Sequence, residues 1–421
     1  MNILMLAMGS RGDVQPYVAL GRGLVQAGHQ VCLVTFKNFE KLATDHGLAI
    51  WPIDVDIEAF IQKPGTKDEI VGGNVLRSMR ELATEAKRVG VMVGEQALEA
   101  SDGMDMIVVG LSGVFMGAAL SEKTGIPLVQ AYSLPFYPTR TYPGLLLPSA
   151  GDWFGGCLNR FSHHLTRQIM WQTSRMADMA TRKQVFKLPA APFFGPFNAP
   201  VMQRNPTLFG ISSVIFPFPN DWDPTKIHIT GDWLLPHSTD WQPPDSLTDF
   251  LDAGSAPVYV GFGSMVSQNP EEMVRIVLEA LERTGQRGVI SAGWGGLAKR
   301  NVPDSVMMVD SIPHDWLFPR MRAVVHHGGA GTTAAGLRAG VPTVIVPFLG
   351  DQPFWGRFVE KIGVGTAPIA SKKLTVDVLA TRIERAVTDK AMRKKAAGLG
   401  AKIQAEDGVA RAVQFIEQLR V

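Results

Sequence analysis

The sequence predicts an α/β protein of two Rossmann-like domains facing each other across a cleft. Three observations carry that expectation. At 421 residues the chain is too long for one ordinary hydrophobic core, so two or three domains are expected. Short apolar, β-branched runs alternate with segments of helical spacing, the pattern of parallel sheets covered on both faces. That rhythm breaks over residues 133–222 and resumes after Pro236 and Pro243–Pro244.

The first half opens with an apolar strand, Asn2–Met8, then a turn at Gly9–Asp13 and a helical pattern over Val14–Ala27 that Gly28 stops. "QVCLVTF" (Gln30–Phe36) reads as a second strand, and "MIVVGL" (Met106–Leu111) and "PLVQAY" (Pro127–Tyr132) continue the series. Residues 133–222 are rich in Pro, Phe, Trp and Met and read as loops plus one or two amphipathic helices, walling something apolar. A second series starts at "PVYVGFGS" (Pro257–Ser264), with a helix over Pro270–Arg283. It runs on through Arg287–Ala292, Val306–Val309, Ala323–His326 and Thr343–Pro347. The expected layout is a first domain over residues 1–235, a linker over 236–250 and a second domain over 251–421. The last helix is a candidate to pack back on the first domain.

Composition narrows the function. With 46% hydrophobic and 19% charged residues the chain suits a packed globular protein, not a disordered one. A net charge of +2 gives no case for a nucleic-acid binder that must neutralise many phosphates. The basic residues gathered over Arg382–Lys402 are interrupted by Glu384 and Asp389 and read as a solvated helix face. Cys32 and Cys157 are the only cysteines, which fits reduced, cytoplasmic life. The N-terminus has no basic leader and reads as a strand. No apolar run reaches the roughly 20 residues of a membrane span, so integral insertion is not expected, although contact with a membrane surface stays open. His163–His164 and the cysteines lack metal-ligand spacing, and no metal is expected.

Two glycine-rich turns carry the chemistry. In "GFGS", Gly261 and Gly263 flank a strand end and Ser264 follows; bare backbone there lets N–H groups approach an anion. In "VHHGGAGTTAAGLRAG", His327 ends a strand, Gly328, Gly329 and Gly331 follow, and Thr332–Thr333 open a helix over Thr332–Ala339. That turn offers free N–H groups, a helix N-terminus, hydroxyls and an imidazole to a negative group. Two such cradles suggest a diphosphate; two tight turns beside a buried histidine would look the same. Asp351 and Gln352 end the next strand and can pair with vicinal hydroxyls, as on a sugar. Neither a G-x-G-x-x-G fingerprint nor a P-loop is present. Asp13, before the first helix, is by chemistry alone either an N-cap or a base facing the cleft.

Together these stretches resemble the nucleotide-sugar glycosyltransferases of family 1 with the GT-B fold, and within them the sterol glucosyltransferases and antibiotic-tailoring enzymes. "GSRGDVQPYVALGRGL" is similar to their acceptor-side motif and "VHHGGAGTTAAGLRAGVPTVIVPFLGDQPFWG" to their donor motif; "SIPHDWLFP" and "SAGWGGL" fit the sterol branch. The resemblance implies an inverting, metal-independent enzyme with no bound cofactor. A UDP-sugar would be its co-substrate and a hydrophobic small molecule its acceptor. It implies Asp13 as general base, and His327, Gly329, Gly331, Thr332 and Ser264 at the donor phosphates. Asp351 and Gln352 would hold the hexose, and Ile312 and Trp294 would lie by the nucleobase. Ser311 stands where the plant branch stacks an aromatic ring, and Ala335 where it places a ribose-binding Glu; Trp294 or Trp316 would have to supply the stacking, and UDP over TDP stays open. The plant branch also pairs a His with an Asp as base, whereas Asp13 would act alone. Phe136, Tyr137, Tyr142, Trp153 and Trp171 are the candidate acceptor wall, with core packing as the plain alternative. The rival functions are a nucleotide-sugar 2-epimerase and an inactive sugar-nucleotide-binding protein.

Overall fold

A computed structural model of the chain describes residues 1–55, 75–146, 155–238, 240–263, 270–291 and 302–419, excepting the side chains of 75–83 and of Pro270. These residues cluster into two compact units. One comprises 1–144, 155–235 and 407–419; the other comprises 236–406 with Leu145 and Leu146.

The first unit is built on seven parallel strands: β1 (Asn2–Leu6), β2 (Gln30–Phe36), β3 (Ala49–Ile53), β4 (Met106–Val109), β5 (Leu128–Tyr132), β6 (Thr207–Phe209) and β7 (Ile227–Ile229). Their order is β3-β2-β1-β4-β5-β6-β7. β1 is central because Ile3 to Leu6 are all apolar and fully buried on both faces. Its register, Leu6 opposite Val34 on one side and Val109 on the other, brings the ends of β1, β2 and β4 to one edge of the sheet. β5 follows β4 with Val109 opposite Gln130, so the loops after β1, β4 and β5 share that edge. The sequence reading did not anticipate β3, β6 or β7. β6 and β7 have only three residues each, too short for an alternation to register.

Helix α1 (Arg11–Gln26) begins three residues before the expected start, because Ser10 takes the N-cap position in extended backbone. The helix Gly408–Gln418 packs on α1 within this unit. Two glycines allow the approach: a Cβ on Gly23 would lie 2.3 Å from Val409 Cγ1, and one on Gly408 2.3 Å from the Gly231 carbonyl carbon.

The second unit has five parallel strands: β8 (Val258–Gly261), β9 (Gly288–Ser291), β10 (Val306–Val309), β11 (Ala323–His326) and β12 (Thr343–Ile345), in the order β10-β9-β8-β11-β12. An apolar cluster covers each face, one around Val260, Val277 and Leu379, the other around Tyr259, Leu317 and Phe318. The segment expected as a linker contributes to this packing. Pro244 caps a helix, Asp245–Asp252, whose Leu247 is fully buried in the second cluster. His237 pairs with Asp315 at 2.7 Å.

Candidate functional site

In the first unit, Asp13 is the third residue of α1 and not its N-cap, correcting the N-cap alternative. The carboxylate reaches back to the chain entering the helix. Its Oδ2 accepts from the Ser10 backbone N–H and from the Ser10 hydroxyl, both at 2.8 Å. A carboxylate at that position is the acidic half of a capping box and sits favourably at the positive helix end. Oδ1 makes no hydrogen bond among the described residues, and the side chain is exposed. Gly9 makes this possible: its φ is +125°, and a Cβ there would fall 2.6 Å from Oδ2. Beneath it Tyr17 is buried and donates to the Ala131 carbonyl at 2.6 Å. Burial first, then the Asp13 charge, pushes the Tyr17 hydroxyl far above its ordinary range, so it stays a donor.

In the second unit, His326 and His327 diverge. His326 ends β11 fully buried, and its Nδ1 accepts from the Gly328 N–H at 3.0 Å. Burial pushes it well below the ordinary histidine range, with His327 and His314 adding to the fall. It is a neutral brace for the turn, a role the doublet in the sequence did not reveal. His327 is half-buried and its Nδ1 lacks a hydrogen-bond partner among the described residues. Burial lowers its pKa, with the Gly261 backbone acting the other way. Two glycines frame the ring: a Cβ on Gly329 would lie 2.5 Å from Nε2 and one on Gly263 3.3 Å from Cε1. The register of β11 on β8, with His326 opposite Gly261, puts the two glycine turns side by side.

The helix after His327 spans Ala330–Ala339, starting two residues earlier than expected. Gly329 is its N-cap in extended backbone, and no side chain caps it. The first helical hydrogen bond runs from the Thr333 N–H to the Gly329 carbonyl, so the first-turn amides of Ala330 to Thr332 have no acceptor within the helix, the groups an anion takes. A Cβ on Gly331 would meet nothing within 4 Å, so this end is open. Thr332 lies half-buried in the first turn. Thr333 is withdrawn: it is fully buried and its hydroxyl donates to the Gly329 carbonyl at 2.9 Å.

Asp351 and Gln352 divide their labour. Gln352 is 5% exposed, and its Oε1 accepts from the backbone N–H groups of Phe348 and Leu349 at 2.8 and 3.2 Å, so its amide oxygen is spent on shaping the loop. Asp351 is half-buried at the N-cap of the helix Gln352–Lys361, its Oδ2 accepting from the Trp355 indole N–H at 2.8 Å. Gly328, with φ +90°, brings this loop to the histidine turn; a Cβ there would be 3.1 Å from the Gln352 carbonyl oxygen.

Beside these turns lies a pocket of about 320 Å³ lined by Tyr259, Ser291, Asp310, Ser311, Ile312 and His314. Tyr259, which the sequence reading passed over, faces His314 Nε2 at 3.5 Å and is pushed up to about 12 by burial. Ile312 packs against the core cluster while lining the pocket. Trp316 is less available for stacking, because the Arg320 guanidinium lies 4.1 Å over its ring and Trp241 meets it at 5.4 Å. Ser264, Trp294 and Trp153 lie outside the described residues. Among those described, no group of three or more His, Cys, Asp and Glu is placed to hold a metal.

Of the aromatic residues expected to wall an acceptor site, Phe136, Tyr142 and Trp171 are core. They are 2%, 8% and 0% exposed, and the Trp171 indole is spent on the Phe193 carbonyl at 2.8 Å. Burial against their own neighbours outcompetes a lining role. Tyr137 alone is half-buried, with the Arg167 guanidinium 4.9 Å over its ring.

Each of the two parallel α/β units presents a distinctive feature at its strand ends, the Asp13 carboxylate in the first and His327 beside an uncapped helix in the second. Among solved structures the fold is similar to CalG4, the calicheamicin glycosyltransferase, with a TM-score of 0.69, 19% identity, and 99% and 97% of the two chains covered. It is similar also to the glycosyltransferase VinC in complex with DTDP, with a TM-score of 0.67, 18% identity and 99% of each chain covered. The Glycosyltransferase family 28 N-terminal domain matches residues 3–143, and the erythromycin biosynthesis protein CIII-like C-terminal domain matches 290–419. The sterol 3-beta-glucosyltransferases UGT80A2 and UGT80B1 of Arabidopsis thaliana are 35% and 33% identical over 98% of this chain and 65% and 67% of their own lengths. The sterol 3-beta-glucosyltransferase of Emericella nidulans is 34% identical over 99% of this chain. The chain spans about two thirds of the plant relatives and 30% of this fungal one. The chain belongs to the family 1 glycosyltransferases of GT-B fold.

Proposed function

We propose that the protein transfers glucose from UDP-glucose to the hydroxyl of a hydrophobic acceptor, a sterol or triterpenoid first and a flavonoid-like phenol second, inverting the anomeric centre. The observation that carries this reading is the histidine turn. A neutral imidazole with an unpartnered nitrogen stands beside the open N-terminus of the helix Ala330–Ala339, and glycines keep both bare. Such a turn suits the charge that grows on a departing diphosphate. Asp13 Oδ1 takes the acceptor proton as the hydroxyl oxygen attacks the anomeric carbon. The bond from that carbon to the phosphate oxygen breaks, and an α-linked donor yields a β-glycoside. Ser10, by holding Oδ2, fixes which oxygen does this. The pocket at Ser311 and Ile312 takes the nucleobase, and Asp351 takes hexose hydroxyls. The helix-end amides supply the positive potential that stabilises the leaving group, and the reading calls for no metal. The names of the curated relatives favour a sterol, and the 33–35% identity of the plant relatives extends across almost the whole chain.

The test is to incubate the purified protein with UDP-glucose and a panel of sterols, triterpenoids, phenols and free sugars, following UDP release and the anomeric configuration of any product. Acceptor-dependent UDP release with a β-linked product is expected. Preference for free sugars over every hydrophobic acceptor would overturn the acceptor class. Interconversion of nucleotide sugars without acceptor would identify an epimerase, and binding without turnover an inactive relative.

A further inference from the structure

Ten large hydrophobic side chains are markedly exposed among the described residues, and seven of them fall between Leu158 and Phe194. Five lie on the helix Gly156–Thr181: Leu158, Phe161, Leu165, Ile169 and Met176. Steps of three, four, four and seven residues put them in one stripe along the helix, opposite the buried face that carries Asn159, His163, Thr166 and Asp178. The other two, Phe193 and Phe194, are 56% and 71% exposed at the tip of a turn. That tip is anchored to the helix. The Trp171 indole and the Gln172 amide both donate to the Phe193 carbonyl, at 2.8 and 2.9 Å, and the Arg175 guanidinium lies 4.8 Å over the Phe193 ring. Two side-chain hydrogen bonds thus hold a turn that carries two phenylalanines out in water, which core packing does not explain.

Charge distinguishes the occupants of such a face. Between residues 155 and 206 the chain carries seven Lys and Arg and a single acid, Asp178, although the whole chain is nearly neutral at +2. Asp178 is buried and paired with Arg182 at 3.3 Å, so it does not offset the positive surface. Arg160, Lys183, Lys187 and Arg204 are exposed. An apolar helix stripe and an aromatic tip, flanked by cations and with no exposed acid between residues 155 and 206, match the interface of an anionic bilayer. No described helix is long and apolar enough to cross a membrane, so the contact would lie in the surface plane. We infer that the helix Gly156–Thr181 and the Phe193–Phe194 tip dock the protein on anionic lipid surfaces. This assignment stands apart from the acceptor proposed above.

Flotation of the full chain with vesicles of phosphatidylcholine, alone or mixed with phosphatidylglycerol, tests it. Binding to the mixed vesicles, weakened by salt, is expected, with at least a tenfold loss in Phe161→Asp and in the double variant Phe193→Ser, Phe194→Ser. An unchanged melting temperature verifies that both variants fold, and Leu165→Glu serves as a third if either does not. No binding to mixed vesicles, or full binding by folded variants, would refute the inference. So would a wild-type dimer in sedimentation that the same variants turn into monomers, since that would make the face a contact between copies.

Discussion

Asp13 divides its two carboxylate oxygens between the helix cap and the chemistry proposed for it. Oδ2 belongs to the helix cap and Oδ1 to the proposed reaction. Asn can still accept from Ser10 through its one oxygen, so Asp13→Asn is expected to fold normally and bind UDP, while turnover drops by roughly 10²–10⁴-fold. Near wild-type turnover in the purified variant would remove Asp13 from the mechanism. His327→Ala should weaken UDP binding as well as turnover, because the imidazole would meet the diphosphate in the ground state as well as the transition state; calorimetry with UDP measures this, and unchanged affinity would leave His327 a structural role. Both residues were legible in the sequence because each follows an apolar strand and stands among glycines. Their neighbours were less so. Nothing in "HH" says that His326 braces the turn, because that depends on which ring the sheet swallows. Nothing in "DQ" says that Gln352 spends its oxygen on Phe348 and Leu349.

At the scale of elements, the histidine turn is shaped by the space its glycines leave. Gly329 has φ −62°, which any residue tolerates, so its need is steric. Gly329→Ala puts a methyl 2.5 Å from His327 Nε2 and should displace the ring, lowering UDP affinity with little change in melting temperature. Affinity equal to wild type would show that the ring yields without consequence. Gln352→Leu acts differently, stranding two backbone N–H groups near a buried position. A loss of about 1–3 kcal/mol in unfolding free energy is expected, measurable by denaturant titration. The longer strands and both glycine turns were readable from β-branched runs and bare backbone. The helix starts at Arg11 and Ala330 were placed two or three residues late, since apolar spacing begins only after the first turn. The aromatic segment misled for a related reason. Composition counts Trp171 and Phe161 alike, but helix phase buries the first and exposes the second.

Over the whole molecule, buried histidines set the response to acid. His163 is lowered to about 4 by burial, and His326 and His327 are also lowered. In the unfolded chain each takes a proton near its ordinary pKa while the folded state refuses it. Stability from these groups is therefore present above that value and lost as pH falls below it, for His163 over the window down to about 4 and by roughly 1.4 kcal/mol per pH unit while it refuses the proton. Asp178 opposes them: burial raises it to about 6, so its contribution is present at low pH and lost as pH rises through that value. Three histidines outweigh one aspartate, and the melting temperature should fall between pH 7 and pH 5, less steeply in His163→Gln; a flat profile would contradict the burial assigned to these rings. The division into two units follows from chain length and from the Pro-marked break, but one part of it has a further consequence. The helix Gly408–Gln418 closes on α1 and on Gly231, yet the ribosome makes it only after the whole of residues 236–406. Of these two units, the one made earlier is thus completed only after the other has been synthesised. During synthesis it must wait with the α1 surface around Gly23 bare, so chaperone capture and aggregation should concentrate there while the second unit is still being translated.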